Sequence, residues 1–163
     1  MSRLDSFIRR ITAQRACLDA AVELIVDLPG PVLEFGLGNG RTYDHLRERC
    51  PDREIFVFDR QVAAHPDCIP DDKHMLLGDF RDTLPGAKAQ IGVPAALAHC
   101  DIGSGNAANN QSLASWLGPR LLSLLAPGAI VLSDQAFDVT SFDSLPLPEG
   151  VAPGRYFFYR YKL

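Results

Sequence analysis

Five short apolar runs, at residues 32–35, 55–59, 75–78, 95–101 and 129–133, alternate with longer stretches of helical periodicity. Neighbouring parallel strands cannot be joined by a tight hairpin; each pair needs a crossover of about a dozen residues or more, which a helix supplies. The alternation therefore predicts an α/β chain with a doubly wound, mostly parallel sheet and helices on both faces. Crossover helices are expected from about Thr42 to Cys50, Phe80 to Gln90 and Asn109 to Leu125, the last stopped by Ala126-Pro127-Gly128.

An additional helix is expected at the N-terminus. Leu4, Phe7, Ile8, Ile11, Leu18, Val22, Ile25 and Leu28 recur at helical spacing, Ser2 and Asp5 have the spacing of a capping box, and Pro29-Gly30-Pro31 is a stop. A chain of 163 residues suits one domain. It divides into this helix (1–28), an α/β core (31–135) and a C-terminal strand region (136–163). After the fifth strand too few residues remain for a further crossover helix and two strands. The C-terminus is therefore expected to be abbreviated, with the run Arg155 to Tyr161 returning antiparallel beside strand five.

The chemistry is concentrated in residues 34–40, which read Glu-Phe-Gly-Leu-Gly-Asn-Gly directly after the first apolar run. Glycine lets a ligand approach the backbone closely, so three of them between a strand and a helix make a cofactor cradle. A dinucleotide fingerprint, Gly-x-Gly-x-x-Gly, would place its third glycine where Arg41 stands. Glu34 would repel a pyrophosphate and attract an ammonium or sulfonium group. The spacing and the charge both disfavour a nicotinamide cofactor.

Glu34-x-Gly36-x-Gly38-x-Gly40 resembles the first motif of the class I S-adenosylmethionine-dependent methyltransferases. The resemblance implies a Rossmann-like sheet of order 3-2-1-4-5 with an antiparallel C-terminal strand. It also implies S-adenosyl-L-methionine as cofactor and S-adenosyl-L-homocysteine as product. It carries cofactor-binding roles onto Glu34, Gly36, Leu37, Gly38, Asn39, Gly40, Asp59, Arg60, Asp79, Phe80 and Asp101. Asp59 ends strand two, where a carboxylate accepts from ribose hydroxyls; the alternative is a strand-end cap. Asp79 and Phe80 match the adenine position, against a simple helix cap and a core aromatic. Arg60 either stacks on adenine or points to water.

Asp101, at the end of strand four, is the catalytic candidate. It could bind the cofactor's amino group, orient the acceptor or take a proton; Asp134, His45 and Tyr43 rank below it as bases. His99 reads as a hydrogen-bonded core histidine rather than a base, and Cys100 as core. The loop from Gly103 to Asn110 has the small polar residues of a substrate pocket. A metal-dependent variant would use Asp101, Asp134 and Gln135 around Mg²⁺, although glutamine stands where catechol-type enzymes have asparagine.

Sixteen Lys and Arg against 20 Asp and Glu, without a basic block, disfavour nucleic acid as partner. No Asp/Asn-Pro-Pro-aromatic motif follows strand four and no Pro-Cys dipeptide occurs, so base methylation loses support. Direct transfer to an oxygen, nitrogen or sulfur atom of a small molecule is the expected activity. The alternatives are a non-catalytic cofactor-binding module that docks a partner, and aminopropyl transfer on the same fold. Cys17, Cys50, Cys68 and Cys100 form no metal-binding pair, and His65, Cys68 and His74 match no zinc spacing. The absence of a signal peptide or membrane span points to a cytoplasmic protein, and the C-terminal strand edge or N-terminal helix to a possible homo-oligomer.

Overall fold

The computed structural model describes residues 2–163; Met1 lies outside them. Helix α1 (Arg3–Leu24) opens on the Ser2/Asp5 capping box, in which the Ser2 hydroxyl accepts from the Asp5 amide and the Asp5 carboxylate accepts from the Ser2 amide. There follow β1 (Val32–Phe35), α2 (Arg41–Arg49), β2 (Ile55–Asp59), β3 (Met75–Leu77) and α3 (Phe80–Ile91). The chain continues through β4 (Ala95–Cys100), α4 (Ala107–Leu121), β5 (Leu125–Ser133), β6 (Phe142–Ser144) and β7 (Phe157–Tyr161). The strands form one sheet of order β3-β2-β1-β4-β5-β7-β6. The first five are parallel, β7 runs antiparallel to β5, and β6 antiparallel to β7.

The C-terminus is shortened at a helix and not at a strand. Both final strands are present among the described residues, and it is the helix between β5 and β6 that is missing. The chain crosses this interval in a loop, residues 134–141, and β6 becomes the sheet edge. Helix α4 starts earlier than its expected span of Asn109 to Leu125, because Asn106 caps it by accepting from the Asn109 amide; it also ends earlier, at Leu121, and Ala126-Pro127-Gly128, expected as its stop, lies within β5.

Alternate residues of each strand face opposite layers. Leu33, Phe35, Phe56, Phe58, Ala98 and Val131 pack under α3 and α4. Val32, Val57, Leu97, Ile130 and Leu132 pack under α1 and α2. Only the second half of the α1 apolar stripe is buried, through Ala13, Cys17, Leu18, Ala21 and Ile25, while Leu4, Phe7 and Ile8 remain exposed. The segment after α1 is held by Arg53. Its guanidinium donates to the carbonyls of Ile25 (2.6 Å), Gly30 (2.7 Å) and Leu28 (2.8 Å), satisfying oxygens that the helix end leaves free. No helix among the described residues is long and apolar enough to cross a membrane.

Candidate functional site

A cleft of about 670 Å³ opens at the carboxyl ends of β1 to β4, where the strand order reverses between β1 and β4. Of the residues expected at the cofactor, Gly36, Gly38, Asp59, Arg60, Asp79, Phe80 and Asp101 line it, and Glu34, Leu37, Asn39 and Gly40 do not.

The glycine turn combines two kinds of constraint. At Gly36, with φ 98°, a Cβ would stand 2.4 Å from the Asp101 carbonyl oxygen, so this glycine lets β1 and β4 meet. At Gly40 a Cβ would stand 2.5 Å from Cys68 Cβ, and that glycine seats the turn on the 64–68 loop. Gly38 differs from both. Nothing lies within 4 Å of its Cβ direction, and its exposed backbone forms part of the cleft wall. Leu37 is buried, and Asn39 is spent locally, its side-chain oxygen accepting from the Arg41 amide at 3.4 Å.

Asp59 holds this turn in place. Its Oδ2 accepts from the amides of Leu37 (2.7 Å) and Gly38 (3.2 Å), and Oδ1 accepts from Gln61 (3.2 Å). Asp79 caps α3, accepting from the Arg81 amide at 2.9 Å while also facing the cleft. The Phe80 ring meets Phe35 edge-on, with centroids 5.5 Å apart, and Phe35 stacks on Phe58 at 4.3 Å. Phe80 is thereby fixed at the cleft wall. Arg60 is exposed at the rim.

Glu34 corrects the expectation of a carboxylate facing the ligand. It is wholly buried on the α1/α2 side, paired in register with His99. Its Oε1 accepts from the Thr42 hydroxyl, and its Oε2 accepts from His99 Nδ1 at 2.6 Å. The strand alternation explains the discrepancy: Val32 and Glu34 point into the layer beneath α1 and α2, away from the cleft.

A polar chain continues from this pair to the cleft. His99 Nε2 meets the Tyr156 hydroxyl at 2.5 Å, Gln14 Nε2 donates to the Tyr156 oxygen at 3.1 Å, and Gln14 Nε2 also donates to Asp101 Oδ2 at 3.0 Å. The amide nitrogen of glutamine can only donate, so Tyr156 accepts from it and its hydroxyl donates to His99 Nε2. His99 then carries its single proton on Nδ1. Burial disfavours the imidazolium and the Glu34 carboxylate favours it, with the balance above the usual histidine value. Hydrogen-bond accounting still selects the neutral ring, because a doubly protonated one would leave the Tyr156 proton without an acceptor. Burial, the nearby Asp101 charge and other effects hold the Tyr156 hydroxyl well above its ordinary range, so it remains a donor. Among the described residues no buried side-chain nitrogen or oxygen lacks a partner.

Asp101 is therefore the point where this buried chain reaches the cleft, with Arg10 3.9 Å from its Oδ1. Neither Gln14 nor Tyr156 stands out from sequence; the only signal at Gln14 is a polar residue at the spacing of the buried stripe of α1. Tyr43 and His45 do not line the cleft. Tyr43 is buried and pushed up by desolvation, and His45 pairs with Asp19 at 2.9 Å between α2 and α1.

The Mg²⁺ alternative does not fit the donor set. Asp134 already accepts from the amides of Ile102 (3.1 Å) and Gly103 (2.8 Å), and the Gln135 side chain turns to it as a donor. Burial first, and the Asp101 charge second, push its carboxyl above the ordinary aspartate value. A Cβ at Gly103 would stand 2.2 Å from Asp134 Oδ2, so the carboxylate is a staple between the β4 and β5 loops. Asn110 braces the same loop, accepting from the Ser104 amide (2.8 Å) and hydroxyl (2.7 Å) and donating to its carbonyl (3.0 Å). No group of three or more His, Cys, Asp or Glu converges as a metal site among the described residues.

The residues at the cleft fit S-adenosyl-L-methionine chemically. They provide bare glycine backbone for close approach, a carboxylate at each end for hydroxyl or ammonium donors, and an aromatic wall.

Comparison with known proteins supports the same chemistry. The family described as S-adenosyl-L-methionine methyltransferase matches residues 1–161. A comparison with curated proteins finds no match. Among solved structures, the chain is similar to the S-adenosyl-L-methionine methyl transferase of Silicibacter pomeroyi DSS-3, with 45% identity, a TM-score of 0.92 and 99% of each chain covered. It is also similar to human methyltransferase-like protein 13 in complex with SAH, at 15% identity and TM-score 0.57, covering 93% of this chain and 82% of that one. A fibrillarin/Nop5p complex aligns at 14% identity and TM-score 0.54, covering 90% and 83%. At such low identity the last two likenesses concern the fold alone.

Proposed function

Since the chain belongs to the S-adenosyl-L-methionine methyltransferase family, we propose that it moves the methyl group directly to an oxygen, nitrogen or sulfur atom of a small molecule. The observation carrying this reading is that Gly38, with open space where a Cβ would stand, lines the same cleft as the carboxylates of Asp59 and Asp101. When bound, the cofactor's sulfonium supplies an already activated methyl group, so the protein has chiefly to align an incoming lone pair and exclude water.

In this reading Asp59, its orientation fixed by the amides of Leu37 and Gly38, accepts from the ribose hydroxyls. Asp79 and Phe80 receive the adenine, and Asp101 receives the ammonium group. The wall beyond Asp101, formed by Ser104, Asn109, Asn110 and Leu113, is polar with one apolar contact, which suits a compact acceptor. The acidic balance of the chain favours a neutral or cationic acceptor over a polyanion.

Isothermal titration with S-adenosyl-L-homocysteine tests the cofactor assignment. Asp59→Ala is expected to weaken binding by ~1.5–3 kcal/mol, the range for charge-assisted hydrogen bonds; unchanged affinity would remove the ribose role. Radiolabelled methyl transfer across a panel of phenols, amines and thiols tests the acceptor class. Label entering only macromolecules in a cell extract would overturn it.

A further inference from the structure

The contact between α1 and Asp101 has an unusual construction. Gln14 is buried yet polar, and both hydrogens of its amide are committed, one to Asp101 Oδ2 at 3.0 Å and one to the Tyr156 oxygen at 3.1 Å. Tyr156 cannot rotate away, because its hydroxyl donates to His99, which is anchored to Glu34. Asp101 lines the cleft, and among the described residues its Oδ1 takes part in no hydrogen bond, with the Arg10 guanidinium 3.9 Å away.

We propose that Gln14 is a positioning residue for the cofactor's amino-acid end: clamped by Tyr156, it holds one Asp101 oxygen so that the other faces the ammonium group. The inference deepens the reading above and rests on it. The physical basis is rotamer selection. An aspartate side chain at a strand end has several staggered positions available, and a donor fixed from behind leaves one of them favoured before the ligand arrives. Gln14 touches neither cofactor nor acceptor in this arrangement and acts through Asp101 alone.

The test compares two ligands. S-adenosyl-L-homocysteine carries the amino-acid end, whereas 5′-methylthioadenosine has the same adenosine and sulfur without it. Titration calorimetry on Gln14→Leu, which keeps the bulk and removes the donor, is expected to show roughly tenfold weaker S-adenosyl-L-homocysteine binding, the loss of about one well-placed polar contact. The affinity for 5′-methylthioadenosine is expected to stay unchanged. Tyr156→Phe, which frees Gln14 while leaving the ring in the core, is expected to give a smaller loss with the same ligand preference.

A uniform loss for both ligands would reduce Gln14 to a packing role, and no loss for either would remove it from the site; each outcome overturns the proposal. If the unmodified protein binds 5′-methylthioadenosine and S-adenosyl-L-homocysteine equally, the ammonium assignment to Asp101 itself fails. If it binds neither, the cofactor reading fails and this inference falls with it.

Discussion

Glu34 and His99 stand opposite one another on β1 and β4, both with no solvent exposure, and His99 Nδ1 donates to the Glu34 carboxylate at 2.6 Å. A carboxylate so far from water is tolerable only because two donors, Thr42 and His99, satisfy it. Removing one member of such a pair strands the other. Glu34→Ala, which leaves the His99 N–H and the Thr42 hydroxyl without their acceptor, is therefore expected to lose about 1–3 kcal/mol of stability in urea denaturation. Glu34→Gln, which can still accept from His99 and meet the Thr42 oxygen with its amide, should lose less than half as much. Equal losses for the two variants would mean that charge, rather than hydrogen-bond completion, dominates this site.

The glycines of the turn should separate by phenotype. Gly40→Ala must drive a Cβ into Cys68 with φ at 85°, and is expected to lower thermal stability by more than the ~1–2 kcal/mol of a left-handed alanine. Gly38→Ala has open space around its Cβ, so its stability loss should stay near that backbone value. Its methyl group would instead enter the cleft. Cofactor affinity should fall further for Gly38→Ala than for Gly40→Ala, measured on the folded fraction of each, and the reverse order would refute this division of labour.

Asp134 makes stability depend on pH in an identifiable direction. Its folded-state carboxyl lies above the ordinary aspartate value, mainly through burial and then through the Asp101 charge. Between the unfolded and folded values the native protein binds more protons, so this group's contribution to stability declines as pH rises through that window. The stability difference between the unmodified protein and Asp134→Asn should accordingly be more favourable to aspartate at pH 4 than at pH 6.5, by denaturant titration. A difference that grows with pH would reverse the assigned shift.

Thiol reactivity should report the packing of the two layers. Cys17, Cys50 and Cys100 are buried and their thiols are pushed up by desolvation, Cys17 to about 11. Only Cys68 is partly exposed. Titration with Ellman's reagent near pH 7.5 is expected to show one fast thiol per chain, abolished by Cys68→Ser, with the other three appearing on unfolding. Two or more fast thiols in the native protein would contradict the burial of Cys17 on α1, of Cys50 at the end of α2 or of Cys100 on β4.

Strands β1 to β5 were legible because each is a run of apolar residues bounded by breakers, and parallel strands buried on both faces have that signature. That the glycine turn and the acids at or just after the ends of β2, β3 and β4 share one cleft was legible for a related reason: the carboxyl ends of neighbouring parallel strands open on the same side of an α/β sheet. Strand β6 was not, since Phe142, Asp143 and Ser144 form a strand only by pairing with β7. The orientation of Glu34 depends on which strand face β1 presents to α1, and proximity to the glycines suggested the wrong side. Gln14 and Tyr156 are 142 positions apart, and nothing local marks either as the other's partner. Their meeting is a property of the closed fold.

That long-range meeting ties one strand pairing to the brace behind Asp101. Tyr156 is buried immediately before β7, and β7 lies in the sheet between β5 and β6. Gln14 comes from α1 and His99 from β4, and the hydroxyl that joins them is in place only while β7 is paired with β5. Local opening of β7 would therefore release Gln14 from behind while leaving β1 to β5 paired among themselves, so the brace is only as lasting as that antiparallel ladder.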